Sequence, residues 1–356
     1  MAIRCRIFSS TYANFRLVIP FLSYGSNFLP CEPLLSSSSL FGDPYQLRQT
    51  TFVISCGLFI GYADPCWSQV ATQEHIITQW TTVQTELATL VYPQIGSISS
   101  ISETGEAVID KLSTASSEGC KSHGPFSSVA EYFTAIAEAA VERAQSDKRP
   151  QENPISFASL GAFVFMDIVR NTDLFRSNEA RFPLNHMDLG TQNILVDDDF
   201  NFLAVIDWEF AHTAPWQVNH FPMPFPLLWP DAKIDAILRD PSHIAYENVS
   251  RQAAARRMYV CKFRNAEMEL RKKGRPLERS FADVLNSTAS RIYACFDRLG
   301  GLPGSDEDQV REMVRLAFRF DAEGTSRYLE DIKVEVRRAD GITAKRTQGK
   351  KGNTGD

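Results

Sequence analysis

The sequence predicts an α+β fold, mainly helical, with one short β-hairpin. Three observations carry this. Ile194-Leu195-Val196 and Phe202-Leu203-Ala204-Val205-Ile206 are apolar, β-favouring runs separated by the turn-forming Asp197-Asp198-Asp199-Phe200-Asn201. Upstream, Ile76, Trp80, Val83, Leu87 and Leu90 recur at helical spacing, which predicts one buried stripe on a helix running from about Glu74. Ser128-Val129-Ala130-Glu131 fits a capping box, in which the Ser and Glu side chains each satisfy a free amide at a helix start.

Taken in order, the stripe is followed by YPQIGSIS, a turn with a short hairpin. The helix opened by the capping box is expected to bury Val129, Phe133, Ile136, Ala140 and Ala144. Residues 157–169 are apolar nearly all round and predict a central buried helix leading into the hairpin. Residues 215–230 read as a Pro- and aromatic-rich loop containing Trp216, Phe221, Phe225 and Trp229, either a wall of a binding site or a packed connector. Helices follow at about 247–273, 280–298, 306–321 and 324–334, with Val260, Phe263, Met268, Ile292, Cys295 and Phe296 facing inward. From Arg337 the chain is rich in Lys, Arg, Gly and Thr, so 336–356 is expected to be a disordered basic tail. Residues 1–73 do not read as a folded unit: Ser36–Ser39 is of low complexity, and Pro30, Pro33, Pro44 and Pro65 interrupt any helix. The expected organisation is therefore an atypical N-terminal region (1–73), a single main unit (74–335) and a tail.

Composition narrows the function classes. A net charge of −6 and the lack of a basic, aromatic RNA-binding signature argue against a general nucleic-acid binder. The 7 cysteines are scattered, with no CxxC pair, which indicates neither a zinc site nor a disulfide framework. No stretch reaches the roughly 18 apolar residues of a membrane-spanning helix. The first 31 residues carry Arg4, Arg6 and Arg16 and no acid, the composition of a mitochondrial transit peptide, beside the default of a cytoplasmic chain.

The chemistry-bearing residues cluster around the hairpin. Antiparallel pairing brings Asn193, at its entry, next to Asp207, at its exit, and Asp188 precedes Asn193 by five positions on a short loop. An Asp, an Asn five later and an Asp after a hairpin supply what phosphoryl transfer needs: a carboxylate to orient and deprotonate a hydroxyl, and hard oxygen ligands for Mg²⁺. The acidic turn Asp197–Asp199 lacks the Gly and distal Glu of a calcium-binding EF-hand loop and reads as a solvated turn.

HMDLGTQN, followed after the hairpin by IDWE, resembles the catalytic and metal-binding segments of the protein-kinase-like superfamily, in its aminoglycoside phosphotransferase and choline kinase branch. YPQIGSI and GPFSS are similar to fungal members of that group. The resemblance covers about 74–335 and implies a protein-kinase-like fold, a mainly helical C-lobe with a short catalytic hairpin. It implies Asp188 as catalytic base, Asn193 and Asp207 as ligands of Mg²⁺ and its nucleotide, and His186 as a structural residue of the loop. The implied partners are MgATP and a small-molecule hydroxyl acceptor of aminoglycoside or choline type. Such enzymes also use a glycine-rich loop and a strand lysine on the phosphates. Here no GxGxxG cluster precedes the loop, GLFIGY at 57–62 has the wrong spacing, and the first lysine is Lys111. The N-lobe is thus expected to be missing or replaced. Phosphotransfer would then be impaired, and the alternative is a catalytically inactive kinase-like binding or scaffold module.

Overall fold

The structure, a computed structural model, describes residues 70–113, 120–146, 156–221, 231–301 and 304–351. The expectations for residues 1–69, and for Phe225 and Trp229, lie outside the described residues. The chain begins with α1 (Val70–Ala88), then β1 (Val91–Tyr92), β2 (Ser97–Ile101) and β3 (Ala107–Asp110). Helices α2 (Val129–Ser146) and α3 (Phe157–Asn171) lead to β4 (Phe182–Asn185), β5 (Ile194–Val196), β6 (Phe202–Val205) and β7 (His212–Thr213). Six α-helices follow among the described residues: α4 (Asp231–Arg239), α5 (Tyr246–Lys272), α6 (Phe281–Val284), α7 (Thr288–Asp297), α8 (Asp306–Phe318) and α9 (Ala322–Lys351). The fold is α+β, with most of the described residues helical and two small antiparallel sheets, one of order β1-β4-β7-β2-β3 and one made by β5 and β6 alone. No helix among the described residues is long and apolar enough to cross a membrane.

The strands are too short to be stable alone, so packing holds them. One core gathers α2, α3, α7 and α8 around Phe133, Phe165, Phe175 and Tyr293, whose rings meet edge-on or tilted at 4.5–6.4 Å between centroids. The second joins α1, the β5–β6 hairpin, α5 and α6 around Trp80, Trp216, Tyr259, Phe263 and Phe281. The stripe on α1 is buried at Ile76, Trp80, Val83 and Leu87. Thr81 and Thr85 share that inner face, and their hydroxyls donate back to the carbonyls of Ile77 and Thr81, which removes the cost of burying them. Leu90 departs from expectation: α1 has already ended, and Leu90 is 37% exposed.

The capping box closes around Ser128 with a shift. Ser128 Oγ accepts from the Glu131 amide at 3.2 Å, while the Glu131 carboxylate accepts from the amide of Ser127 rather than that of Ser128. Three other expectations change. Residues 280–298 form two helices, because Asn286 donates to the Ala282 carbonyl and Ser287 caps a new start by accepting from the Ser290 amide. Met268 points outward, 52% exposed, since the inner face of α5 passes through Tyr259, Phe263 and Leu270. The last helix runs to Lys351, so helix continues past Arg337, where composition suggests a disordered tail; Ala339, Ala344 and the Lys and Arg residues there are good helix formers. Helix α4 follows the Pro-rich segment without any sequence expectation for it.

Gly96 precedes β2 at a point of close approach. A Cβ there would lie 2.1 Å from the Asp110 carbonyl oxygen, a backbone atom that cannot turn aside. Its amide donates to Thr213 Oγ1, and its carbonyl accepts from the Thr213 amide, so Gly96 ties β2 to β7. Gly96→Ala should destabilise the protein by about 1–3 kcal/mol, read as a lower urea midpoint with an unchanged m-value.

Candidate active site

Two clamps fix the β5–β6 hairpin. At its turn, Gln79 of α1 uses both ends of its amide: Oε1 accepts from the Phe202 N–H at 2.7 Å, and Nε2 donates to the Phe200 carbonyl at 3.0 Å. Asp197 closes the turn from within, its Oδ1 accepting from the amides of Asp199 and Asn201 and its Oδ2 from the Asn201 side chain. These carboxylate oxygens are occupied by the turn's own donors, as a solvated turn requires. At the open end, His186 Nε2 lies 2.9 Å from the Ile206 carbonyl, and the imidazole packs edge-on against the Trp208 indole at 4.6 Å. A carbonyl only accepts, so Nε2 carries the proton. Burial pushes the His186 pKa below its usual value, against the opposing pull of the Ile206 carbonyl and the charges of Asp188 and Asp207.

The hairpin register brings the predicted residues together. Ile194 pairs with Val205, and the Ile206 amide donates to the Asn193 carbonyl at 2.9 Å, so Asp207 emerges beside Asn193. Asn193 is buried, and its Nδ2 donates to both the backbone carbonyl and Oδ2 of Asp188, at 2.8 and 2.9 Å. With the amide nitrogen committed there, Oδ1 is left as an acceptor. The other Asp188 oxygen accepts from Gln192 Nε2 at 3.2 Å, a contact the sequence did not suggest. Asp207 is exposed, and among the described residues no cation or donor engages its carboxylate. Met187 and Asp207 both have left-handed backbone, with φ of 65° and 62°, so strain sits on either side of the cluster.

Asp188 stands at the wall of a cavity of about 560 Å³ between α2, α3 and the end of α7, lined by Tyr132, Ile136, Phe296, His212 and several alanines. A smaller cavity of about 150 Å³ lies on the other side of Met187, Tyr293 and Asp297, which line both. At the rim Asp297 approaches His220 at 3.5 Å. Burial raises the Asp297 pKa, but the hydrogen bond and charge of His220, together with the charge of Arg298, outweigh it and hold the carboxyl below its usual value. His212, Tyr293, His220 and Asp297 were not legible as site residues, because they come from separate elements with no motif between them. His212 alone had a local signal, lying five positions after Asp207.

The donors suit a hard cation held lightly: one free carboxylate (Asp207), one amide oxygen (Asn193) and a second carboxylate nearby (Asp188). Mg²⁺ is commonly bound by one or two carboxylates, with water and phosphate completing its shell. Among the described residues no group of three or more His, Cys, Asp or Glu side chains forms an all-protein metal cage. The chain matches no protein-family model, no curated protein and no solved structure.

Two predictions follow from this geometry. Met187 is 36% exposed and has a conformation that only glycine adopts freely. Relief of that strain should let Met187→Gly raise stability by about 1 kcal/mol, measured by urea unfolding. His212 is fully buried, and burial drops its pKa to about 4, only partly offset by its bond to the Phe210 carbonyl. The unfolded imidazole protonates near 6.5, so the stabilising effect of the neutral folded form is complete above that pH and is lost as pH falls towards 4. The loss should reach about 3 kcal/mol, and His212→Gln should flatten the fall in unfolding free energy between pH 7 and pH 4.5.

Proposed function

We propose that this chain is the C-lobe of a protein-kinase-like phosphotransferase of the aminoglycoside phosphotransferase and choline kinase type, which transfers phosphate from MgATP to a small-molecule hydroxyl. The observation that carries the reading is the Asn193 amide, anchored on Asp188 while the hairpin register sets it beside Asp207. Of these three oxygen-bearing groups, Asp188 is the one that lines the large cavity.

In this reading the acceptor occupies that cavity and turns its hydroxyl to Asp188. Gln192 and Asn193 hold the carboxylate in place, and Asp188 takes the hydroxyl proton as the oxygen attacks. Asn193 Oδ1 and Asp207 would hold Mg²⁺, which supplies charge neutralisation on the transferring phosphate. His186 does no chemistry: it ties the loop that carries Asp188 to the strand end that carries Asp207. The alternative, a kinase-like binding or scaffold module without turnover, is favoured by one sequence fact, the lack of a glycine-rich loop and of any lysine before Lys111.

MgATP binding separates the two. For the enzyme, MgATP at about 100 times its dissociation constant adds about 2.7 kcal/mol of stability, visible as a rise in melting temperature that Asp207→Ala abolishes. Asp188→Asn keeps the shift but loses phosphate transfer. A melting temperature indifferent to MgATP in the unmodified chain would favour the binding module.

A further inference from the structure

His212 is 4% exposed and lines the 560 Å³ cavity that Asp188 also lines. Its Nδ1 lies 2.9 Å from the Phe210 carbonyl, which only accepts, so Nδ1 carries the ring proton. Burial keeps the ring neutral, with a pKa of about 4. Nε2 is therefore a bare acceptor, and it has no hydrogen-bond partner among the described residues. A buried polar atom left unpaired costs free energy that folding alone does not recover. Strand β7 holds the ring rigidly: Thr213 bonds Gly96 and Gln94, and His212 itself pairs with Asn185 and Ser97.

The rest of the cavity limits what can enter. Tyr132, Ile136 and Phe296 give apolar walls, and Ala139, Ala140 and Ala162 leave space for a ring-sized body. Ser159, Arg143, Asp188 and Asp297 add polar and charged groups to the same wall, so a ligand that suits this lining joins an apolar body to polar groups, among them an O–H or N–H for the unpaired nitrogen. A hydroxyl that gives its proton to Asp188 cannot at the same moment donate to His212, so the ligand needs a second donor.

We propose that the cavity binds an alcohol with an apolar body and a second hydroxyl, and that His212 Nε2 accepts a hydrogen bond from that second hydroxyl. Only the placing of the first hydroxyl at Asp188 rests on the phosphotransferase reading; the bond to His212 does not. His212 is thus a binding residue that selects diols over simple apolar molecules.

The test needs neither nucleotide nor turnover. The full chain is labelled with ¹⁵N-histidine, and the His212 ring nitrogens are followed by NMR while 1-phenyl-1,2-ethanediol is added. Ethylbenzene, with the same body and no donor, serves as the control. Saturable binding of the diol that moves the Nε2 resonance towards that of a hydrogen-bonded acceptor, with no such movement for ethylbenzene, supports the proposal. His212→Phe should then weaken the diol about tenfold and leave ethylbenzene unweakened. Diol binding that leaves Nε2 unmoved, or no diol binding at all, overturns it. Either outcome leaves the Asp188 and Asp207 reading to the MgATP measurement, so the two can fail separately.

Discussion

The hydrogen bond between the His186 imidazole and the Ile206 carbonyl is the constraint on which the site's geometry depends. It joins two segments that carry different groups: the loop bearing Asp188 and the hairpin exit bearing Asp207. Both flank strained residues, and strain of this kind persists only when its surroundings over-determine it. Here that support is the imidazole bond, the edge-on packing of His186 against Trp208, and the bond from the Trp208 indole to the Val205 carbonyl. The ring is kept neutral by burial, so the clamp holds without placing a charge beside two carboxylates.

The rest of the fold serves to keep that hairpin still. Strands of three and four residues have little stability of their own. Ile194, Val196, Phe202 and Val205 bury one face of the pair in the core built by α1 and α5. Polar ties hold α5 and the turn after it against α1: Tyr259 donates to Gln84, Lys262 pairs with Glu74, and Arg275, just past the end of α5, reaches both Glu86 and Thr89. Gln79 then extends from the same helix to the hairpin turn. The other core, around Phe133 and Phe165, supports the cavity wall instead. There Glu312 is buried with Arg291 and Arg315 on its carboxylate, a group whose desolvation is offset only because both its oxygens are engaged.

Buried histidines divide the work between these regions. His186 spends its Nε2 proton on holding backbone and His212 its Nδ1 proton, and in both rings the other nitrogen is buried without a hydrogen-bond partner among the described residues. The difference lies in what each ring faces: His212 lines the cavity of about 560 Å³, whereas His186 lines the one of about 150 Å³.

Much of the architecture was already legible in the sequence. Helical periodicity placed α1 and its buried stripe, the capping box placed α2, continuous apolarity placed α3, and two apolar runs about an acidic turn placed the hairpin. These are local signals, set by residues within a turn or two of each other. The nearness of Asn193 to Asp207 was legible too, because hairpin register follows from loop length and strand pattern. Only the tertiary structure decided what depends on distant partners. The two-residue strands β1 and β7 exist because neighbouring strands complete their ladders, and the outward turn of Met268 depends on where α1 and α6 meet α5. The cavity has the same origin. Asp188, His212, Tyr132 and Phe296 belong to four separate segments, and no spacing along the chain encodes the space that opens when those segments pack.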